Sequence, residues 1–473
     1  MTPITRLSAR NPRTGLTDYH FDVASTAQVQ SAAAALRGSQ PAWQALGFPG
    51  RRKVMQDFAA AVEARRDTLV AALVTDTGRQ RIAAIEVAGM LGLLQLALAN
   101  GEQVLATAPE HASMLPGIAG RRQLSPYPLV GVIAPWNFPL LLAMIDTLPA
   151  LVAGCAVLVK PSEVTPRYID PLQSAIDAVP PLAKVLRIVR GPGSTGADVV
   201  NQVDAIVVTG SVRTGRIVAE QAAKRFIPAF LELGGKDPLI VLPSADVERA
   251  ATVALRASVL ATGQACQSLE RVYVHRSIYA SFMAKLIAKA KQVRTTADDA
   301  RGHLGPFIMA RQAEIVRDHI EDAVERGARI EAGGHLIERG GVWCEATVLS
   351  NVNHTMKVMR EETFGPVIPV MPFDTIDEAI ELANDSDFGL SANIFTGNEA
   401  EAWAIAPRLQ AGFISVNDCS LSSMISEFEW EAFRYSGLGR SRMGPSGVAR
   451  YLRVQAVVIN RGPAGDVLQT PDI

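Results

Sequence analysis

Four short apolar runs constrain the fold of this chain more than any other feature. Residues 129–134, 156–160, 185–189 and 205–209 are nearly unbroken stretches of Val, Ile, Leu and Ala. A strand wetted on one side alternates in polarity; an unbroken apolar run is a strand buried on both faces, as in a parallel sheet covered by helices. Helix-period segments at about 166–178 and 212–225 separate the runs, so the rhythm predicts an α/β fold with a Rossmann-like parallel sheet. After Glu232 a second α/β series begins with a strand at 238–242. Its helix, expected over about 247–262, delivers Gly263-Gln264-Ala265-Cys266. Upstream, Pro126 and Pro128 confine the stretch before Leu129 to an edge strand or protruding ribbon. The first hundred residues are Ala-rich and mostly helical in period, notably around 50–58 and 83–98.

A chain of 473 residues exceeds a single core, so two or three domains are expected. The formal net charge of −1 gives no electrostatic case for nucleic acid or an anionic membrane. The start of the chain lacks the charged, then apolar pattern of a signal peptide. The stretch 138–159 is the only one expected to be apolar enough to mimic a membrane span, but Asp146, two prolines and Gly154 make it a buried helix followed by a buried strand. The four cysteines, at 155, 266, 344 and 419, show neither CxxC spacing nor a disulfide framework, and no histidine lies in HExxH. A cytoplasmic protein without a metal is expected.

Several residues could carry chemistry. A thiol attacks as its thiolate and needs a suitable setting. Most cysteines are small buried hydrophobes; Cys155, after Ala153-Gly154, reads that way, and Cys344 and Cys419 lack a nucleophile's context. Cys266 ends a predicted helix in a small polar turn that could expose its sulfur, and on its residues alone both readings stand. Asn137, in Pro135-Trp136-Asn137-Phe138-Pro139, is either a turn former or an amide donor at the carboxyl end of a parallel strand, where such sheets bind ligands. Glu232, between Leu231 and Leu233 and before Gly234-Gly235, is placed for partial desolvation, which would raise its pKa towards neutrality as a general base requires. It could equally be a capping or ion-pairing acid. Glu362, in Glu361-Glu362-Thr363-Phe364-Gly365-Pro366, and the pair Lys160 and Glu163 could each be plain surface charge. Gly191-Pro192-Gly193-Ser194-Thr195-Gly196 is a literal G-x-G-x-x-G, yet the next strand ends in Thr209 with no acid to hold a ribose.

In this order, the segments around Asn137, Glu232, Cys266 and Glu362 resemble the aldehyde dehydrogenase superfamily, over nearly the whole chain. The resemblance implies NAD-dependent oxidation of an aldehyde to its acid. Cys266 would be the nucleophile, Asn137 and the Cys266 N–H the oxyanion donors, and Glu232 the base that hydrolyses the thioester. Relatives that pass the acyl group to coenzyme A generally lack this acid. The resemblance also implies that Lys160 and Glu163 meet the adenosine ribose, with Gly193 bordering the adenine side. Gly210, Ser211 and Gly215 would face the pyrophosphate, Glu362 the nicotinamide ribose, and Phe364 and Trp136 would flank the cofactor. A carboxylate at Glu163 would repel a 2′-phosphate, favouring NAD while leaving NADP possible.

The implied architecture is a cofactor domain over 1–231, interrupted by a ribbon at about 112–131, and a catalytic domain over 232–443. The ribbon with 444–473 would form an oligomerisation element of a homodimer or homotetramer. Two departures from the family pattern stand out: Asp146 replaces a lysine common among relatives, and Glu429 to Tyr435 replace most of a conserved loop. Leu141, Leu142, Ile145 and Trp136 suggest an apolar tunnel for an uncharged aromatic or medium-chain aldehyde, although Arg271 or Arg434 could hold a substrate carboxylate. The alternatives are a semialdehyde dehydrogenase, an NADP-preferring relative, and a non-catalytic NAD-binding protein.

Overall fold

A computed structural model describes residues 5–296 and 301–463. The apolar runs form the first sheet. Its order is Gly437–Leu438, Ala229–Glu232, Ala205–Thr209, Leu129–Ile133, Ala156–Lys160, Leu186–Ile188, parallel except for the first strand. Ala156–Lys160 and Ala205–Thr209 are buried throughout, as unbroken apolar strands must be when helices cover both faces. Strand order reverses about Leu129–Ile133, whose neighbours follow it at 156 and 205. Crossovers leave in opposite directions there, so a crevice opens at the carboxyl ends.

The second sheet has seven strands in the order Arg329–Ala332, Thr347–Ser350, Val367–Phe373, Leu269–His275, Asp237–Val241, Ser391–Phe395, Phe413–Val416. Only Arg329–Ala332 is antiparallel to its neighbour. A third, antiparallel sheet pairs Ile118–Pro126 with Leu452–Asn460 along their whole length and with His111–Ala112. This ribbon ends at Pro126, and Leu129–Ile133 already belongs to the first sheet. Residues 464–473 lie outside the described residues.

The amino-terminal segment is mostly helical, as expected, and two other local expectations are corrected. Ahead of its helices, Arg6–Arg10 and Thr17–Asp22 form a hairpin. It is anchored by side chains far along the chain, with Tyr19 Oη donating to Asp170 at 2.6 Å and Arg167 pairing with Asp18. Its own residues are mostly exposed and carry little apolar alternation. Gln80–Val104 is also long and apolar enough to cross a membrane by length and composition. It instead packs along Pro139–Ala153, burying Met90, Leu94 and Leu98 in the core of the first sheet. The second correction concerns the helix before Cys266, expected to reach about 262, which stops at Val259.

Candidate active site

The candidate residues meet where the carboxyl ends of the first sheet face the amino ends of the second. Asn137 follows Leu129–Ile133, and Glu232 closes Ala229–Glu232. Gly235, Cys266 and Glu362 lie just before Asp237–Val241, Leu269–His275 and Val367–Phe373. The glycine pair after Glu232 shows why these segments need one another. A Cβ on Gly234 would stand 2.5 Å from the Glu362 carboxylate, and one on Gly235 would stand 2.4 Å from the Cys266 carbonyl oxygen. Both loops close on bare backbone that only glycine leaves open.

The turn carrying Cys266 is strained. Ala261, Thr262 and Gly263 are left-handed in succession, with φ of 55°, 62° and 68°. For the two non-glycine residues this costs roughly 1–2 kcal/mol each. Hydrogen bonds hold the turn: Thr262 Oγ1 donates to Gly305 O (3.1 Å), Gln264 Nε2 to Pro306 O (3.3 Å), and Ile308 N to Gln264 Oε1 (3.0 Å). Early termination of the helix thus lets the segment 305–308 clamp the approach to the thiol. Asn137, 4% exposed, donates from Nδ2 to Gln264 O at 3.1 Å, so its amide sits beside the cysteine turn. Arg79, not anticipated from sequence, donates to the carbonyls of both Asn137 and Ala261 and stacks on Phe138. It ties the asparagine loop to the cysteine turn.

Cys266 is the one cysteine that is not buried. Its low-dielectric surroundings, and then the Glu362 carboxylate, push its thiol up to about 12, against the pull of Arg442. Glu362 accepts from Gly235 N at 3.1 Å, and burial with the nearby Glu270 charge pushes it up to about 8. Its loop is held from behind: Glu270 accepts from Thr363 N and Phe364 N, both at 2.8 Å, and is paired with buried Lys236 at 2.6 Å. Phe364, itself left-handed, meets Trp136 edge-on at 5.5 Å. Burial raises Glu232, while Arg442 and Arg450, 3.6 and 3.7 Å away, pull it back down.

The cofactor-side residues line the crevice of the first sheet. Lys160 and Glu163 pair at 3.0 Å at the end of Ala156–Lys160. Ser211 caps Val212–Arg225, its Oγ accepting from Thr214 N at 3.3 Å, so free backbone N–H groups point outward beside Gly210. A Cβ on Gly193 would meet nothing within 4 Å, and one on Gly210 only Val208 Cγ1 at 3.9 Å, so both border open space. A helix amino end, an open glycine edge and carboxylates able to accept from hydroxyls suit a dinucleotide. Gly215 is different: it is buried, and a Cβ there would stand 2.6 Å from Leu233. Its lack of a side chain serves packing beside Glu232.

Arg271 and Arg434 are unsuited to holding a substrate acid. Arg271, 1% exposed, donates to the carbonyls of Lys236, Leu382 and Ala383 and to Tyr273 Oη. Arg434 donates to Asn384 O and Ser386 O. Asp146 is buried between Arg442 and Arg450, which lie about 300 residues further along the chain.

The structure thus brings together a thiol on a strained turn, an amide beside it, two desolvated carboxylates and a crevice whose residues suit a dinucleotide. The model of the aldehyde dehydrogenase family matches residues 2–457, and the chain belongs to that family. It is similar to "4,4'-diapolycopene aldehyde oxidase" of Methylomonas sp, 36% identical over 92% of this chain and 83% of that protein. It also resembles "Putative succinate-semialdehyde dehydrogenase [NADP(+)]" of Mycolicibacterium smegmatis, 35% identical over 98% of this chain and 91% of that one. Among solved structures, "Putative Aldehyde Dehydrogenase PutA" from Anabaena variabilis superposes with a TM-score of 0.96 at 49% identity, covering 98% of this chain and 99% of that one.

Proposed function

We propose that this enzyme oxidises an uncharged aromatic or medium-chain aldehyde to its acid, with NAD as the preferred acceptor. The observation that carries the reading is the convergence of Cys266, Asn137, Glu232 and Glu362 at one seam. Cys266 gives its proton to solvent water and its sulfur adds to the aldehyde carbon, while the Asn137 amide and the Cys266 N–H stabilise the alkoxide. NAD, when bound, would supply the hydride acceptor for this carbon, which leaves Cys266 holding a thioester. Water attacks the thioester as Glu232 takes its proton, releasing the acid and the thiolate. Lys160 and Glu163 would hold the adenosine ribose, Gly193 would border the adenine, Gly210 and Ser211 would hold the pyrophosphate, and Glu362, Phe364 and Trp136 the nicotinamide side. The Glu163 carboxylate supports NAD, and the name of the Mycolicibacterium relative keeps NADP as the second choice.

Substrate choice rests on Leu141, Leu142 and Ile145 along Pro139–Ala153, and on Arg271 and Arg434 already being occupied by backbone carbonyls. The semialdehyde reading is favoured by the names of several relatives, the Mycolicibacterium protein among them. We further propose the division into cofactor, catalytic and oligomerisation parts. Exposed Val454, Val457, Val458 and Ile459 on Leu452–Asn460 support a homodimer or homotetramer. Four free cysteines fit a cytoplasmic location. The test is NADH formation from benzaldehyde, hexanal and succinic semialdehyde, with Cys266→Ala alongside. Activity lost in the variant and highest kcat/KM on the uncharged aldehydes is expected; preference for succinic semialdehyde overturns the substrate, and activity in Cys266→Ala overturns the nucleophile.

A further inference from the structure

Around Asp146 lies a buried set of four charges. Its side chain is 1% exposed, against 8% for Arg442, 0% for Arg450 and 14% for Glu232. Arg442 Nη2 donates to Asp146 Oδ2 at 2.5 Å and to Thr209 Oγ1 at 2.7 Å. Arg450 donates to the other Asp146 oxygen and, at 3.0 Å, to Tyr451 Oη, which itself donates to Asp146 at 3.2 Å. Arg450 also lies over the rings of Phe230 and Tyr451. One aspartate thus faces two guanidinium groups. Buried charge is tolerated only when balanced, and the balancing charge is the Glu232 carboxylate, 3.6 Å from Arg442 and 3.7 Å from Arg450. The Nε atoms of both arginines are buried without a hydrogen-bond partner, and that of Arg442 is the atom nearest Glu232 Oε1. The other charged or titratable groups facing Glu232 are Glu431, which disfavours its ionised form, and the Cys266 thiol, whose proton affinity responds to Glu232.

We propose that Arg442 is a positioning residue for deacylation, holding Glu232 ionised at the seam, with Asp146 setting how much of the arginine's charge Glu232 feels. The proposal rests on Glu232 being the base. In that step the water oxygen bonds to the thioester carbon, the water proton passes to Glu232, and the C–S bond breaks to leave a thiolate. The cluster is neutral before the transfer and carries one net positive charge after it. That charge appears as the thiolate forms, and Arg442 is the group that eases ionisation of Cys266. The same arginine therefore keeps the base ready and favours the leaving thiolate through its charge.

The test is the pH profile of steady-state turnover with NAD and whichever aldehyde turns over, alongside the pre-steady-state NADH burst and thermal melting. Arg442→Gln should move the acid limb up by about one pH unit or more, and Arg442→Lys should restore most of it. Asp146→Asn should move the limb down, because Glu232 then meets both arginines unshared. A merely structural role does not produce shifts of opposite sign. Limbs that stay put, or move together, in variants that melt like the parent overturn the proposal. Should Asp146→Asn fail to fold, the Arg442→Gln and Arg442→Lys pair decides alone. Glu232→Gln separates the two ideas: a burst with no acid limb upholds the base, whereas an unchanged limb removes Glu232 as base whatever Arg442 does.

Discussion

The thiol of Cys266 should be almost inert in the cofactor-free protein at neutral pH, and alkylation measures how inert. With its pKa pushed up to about 12, the thiolate fraction stays far from saturation through the accessible range. Iodoacetamide alkylation should then climb between about pH 7.5 and about pH 9.5 without levelling off: about 100-fold in Glu362→Gln, tenfold per unit, and less steeply in the parent, where Glu362 ionises over the same interval and disfavours the thiolate. An ordinary thiol near ~8.5 would climb only about tenfold over that interval and then level off. Cys155, Cys344 and Cys419 are buried with their thiols also pushed up, so Cys266→Ser supplies the background. Glu362→Gln removes the carboxylate that ranks next to burial in disfavouring the thiolate. Because Glu362 itself sits at about 8, the effect should be small near neutrality, where it is largely protonated, and reach about tenfold at the alkaline end. A plateau below about pH 9, or a Glu362→Gln rate equal to the parent's at high pH, refutes the electrostatic reasoning.

Other outcomes follow from the same geometry. Glu232→Gln should keep the NADH burst and lower steady-state turnover by about 10²–10⁴-fold, as quenched-flow against steady-state assays will read. Gly235→Ala puts a Cβ 2.4 Å from the Cys266 carbonyl oxygen, so denaturant unfolding should show a loss of about 1–3 kcal/mol together with lower activity. Glu163→Gln should raise the NADP to NAD ratio of kcat/KM by about tenfold, since it removes one negative charge from the ribose end of the crevice; an unchanged ratio sinks the Glu163 argument.

Much of the site was readable because its chemistry lies in short local segments. Asn137, Glu232, Cys266 and Glu362 each sit in a motif whose glycines and prolines announce a tight turn at a strand end. Arg79, Arg442 and Arg450 gave no such signal. An arginine in Gly439-Arg440-Ser441-Arg442 looks like solvated surface, and its burial depends on a partner 296 residues away. The amino-terminal hairpin gave no local signal for a similar reason, since its anchors, Arg167 and Asp170, lie far from it in the chain. The left-handed Ala261 and Thr262 were hidden because local propensity favours continuing the helix, and only clamping loops repay that strain.

What the sequence by itself determined is the parallel sheet and the set of candidate reactive groups. Burial on both faces is written in consecutive residues, and so is the Gly-Gly pair that lets two loops close on Glu232. What only the tertiary structure decided is the meeting of one sheet's carboxyl ends with the other's amino ends, and the electrostatics that follow. Proton affinities at Cys266, Glu232 and Glu362 depend on distance and local dielectric, which packing of remote segments sets and no local run of residues encodes.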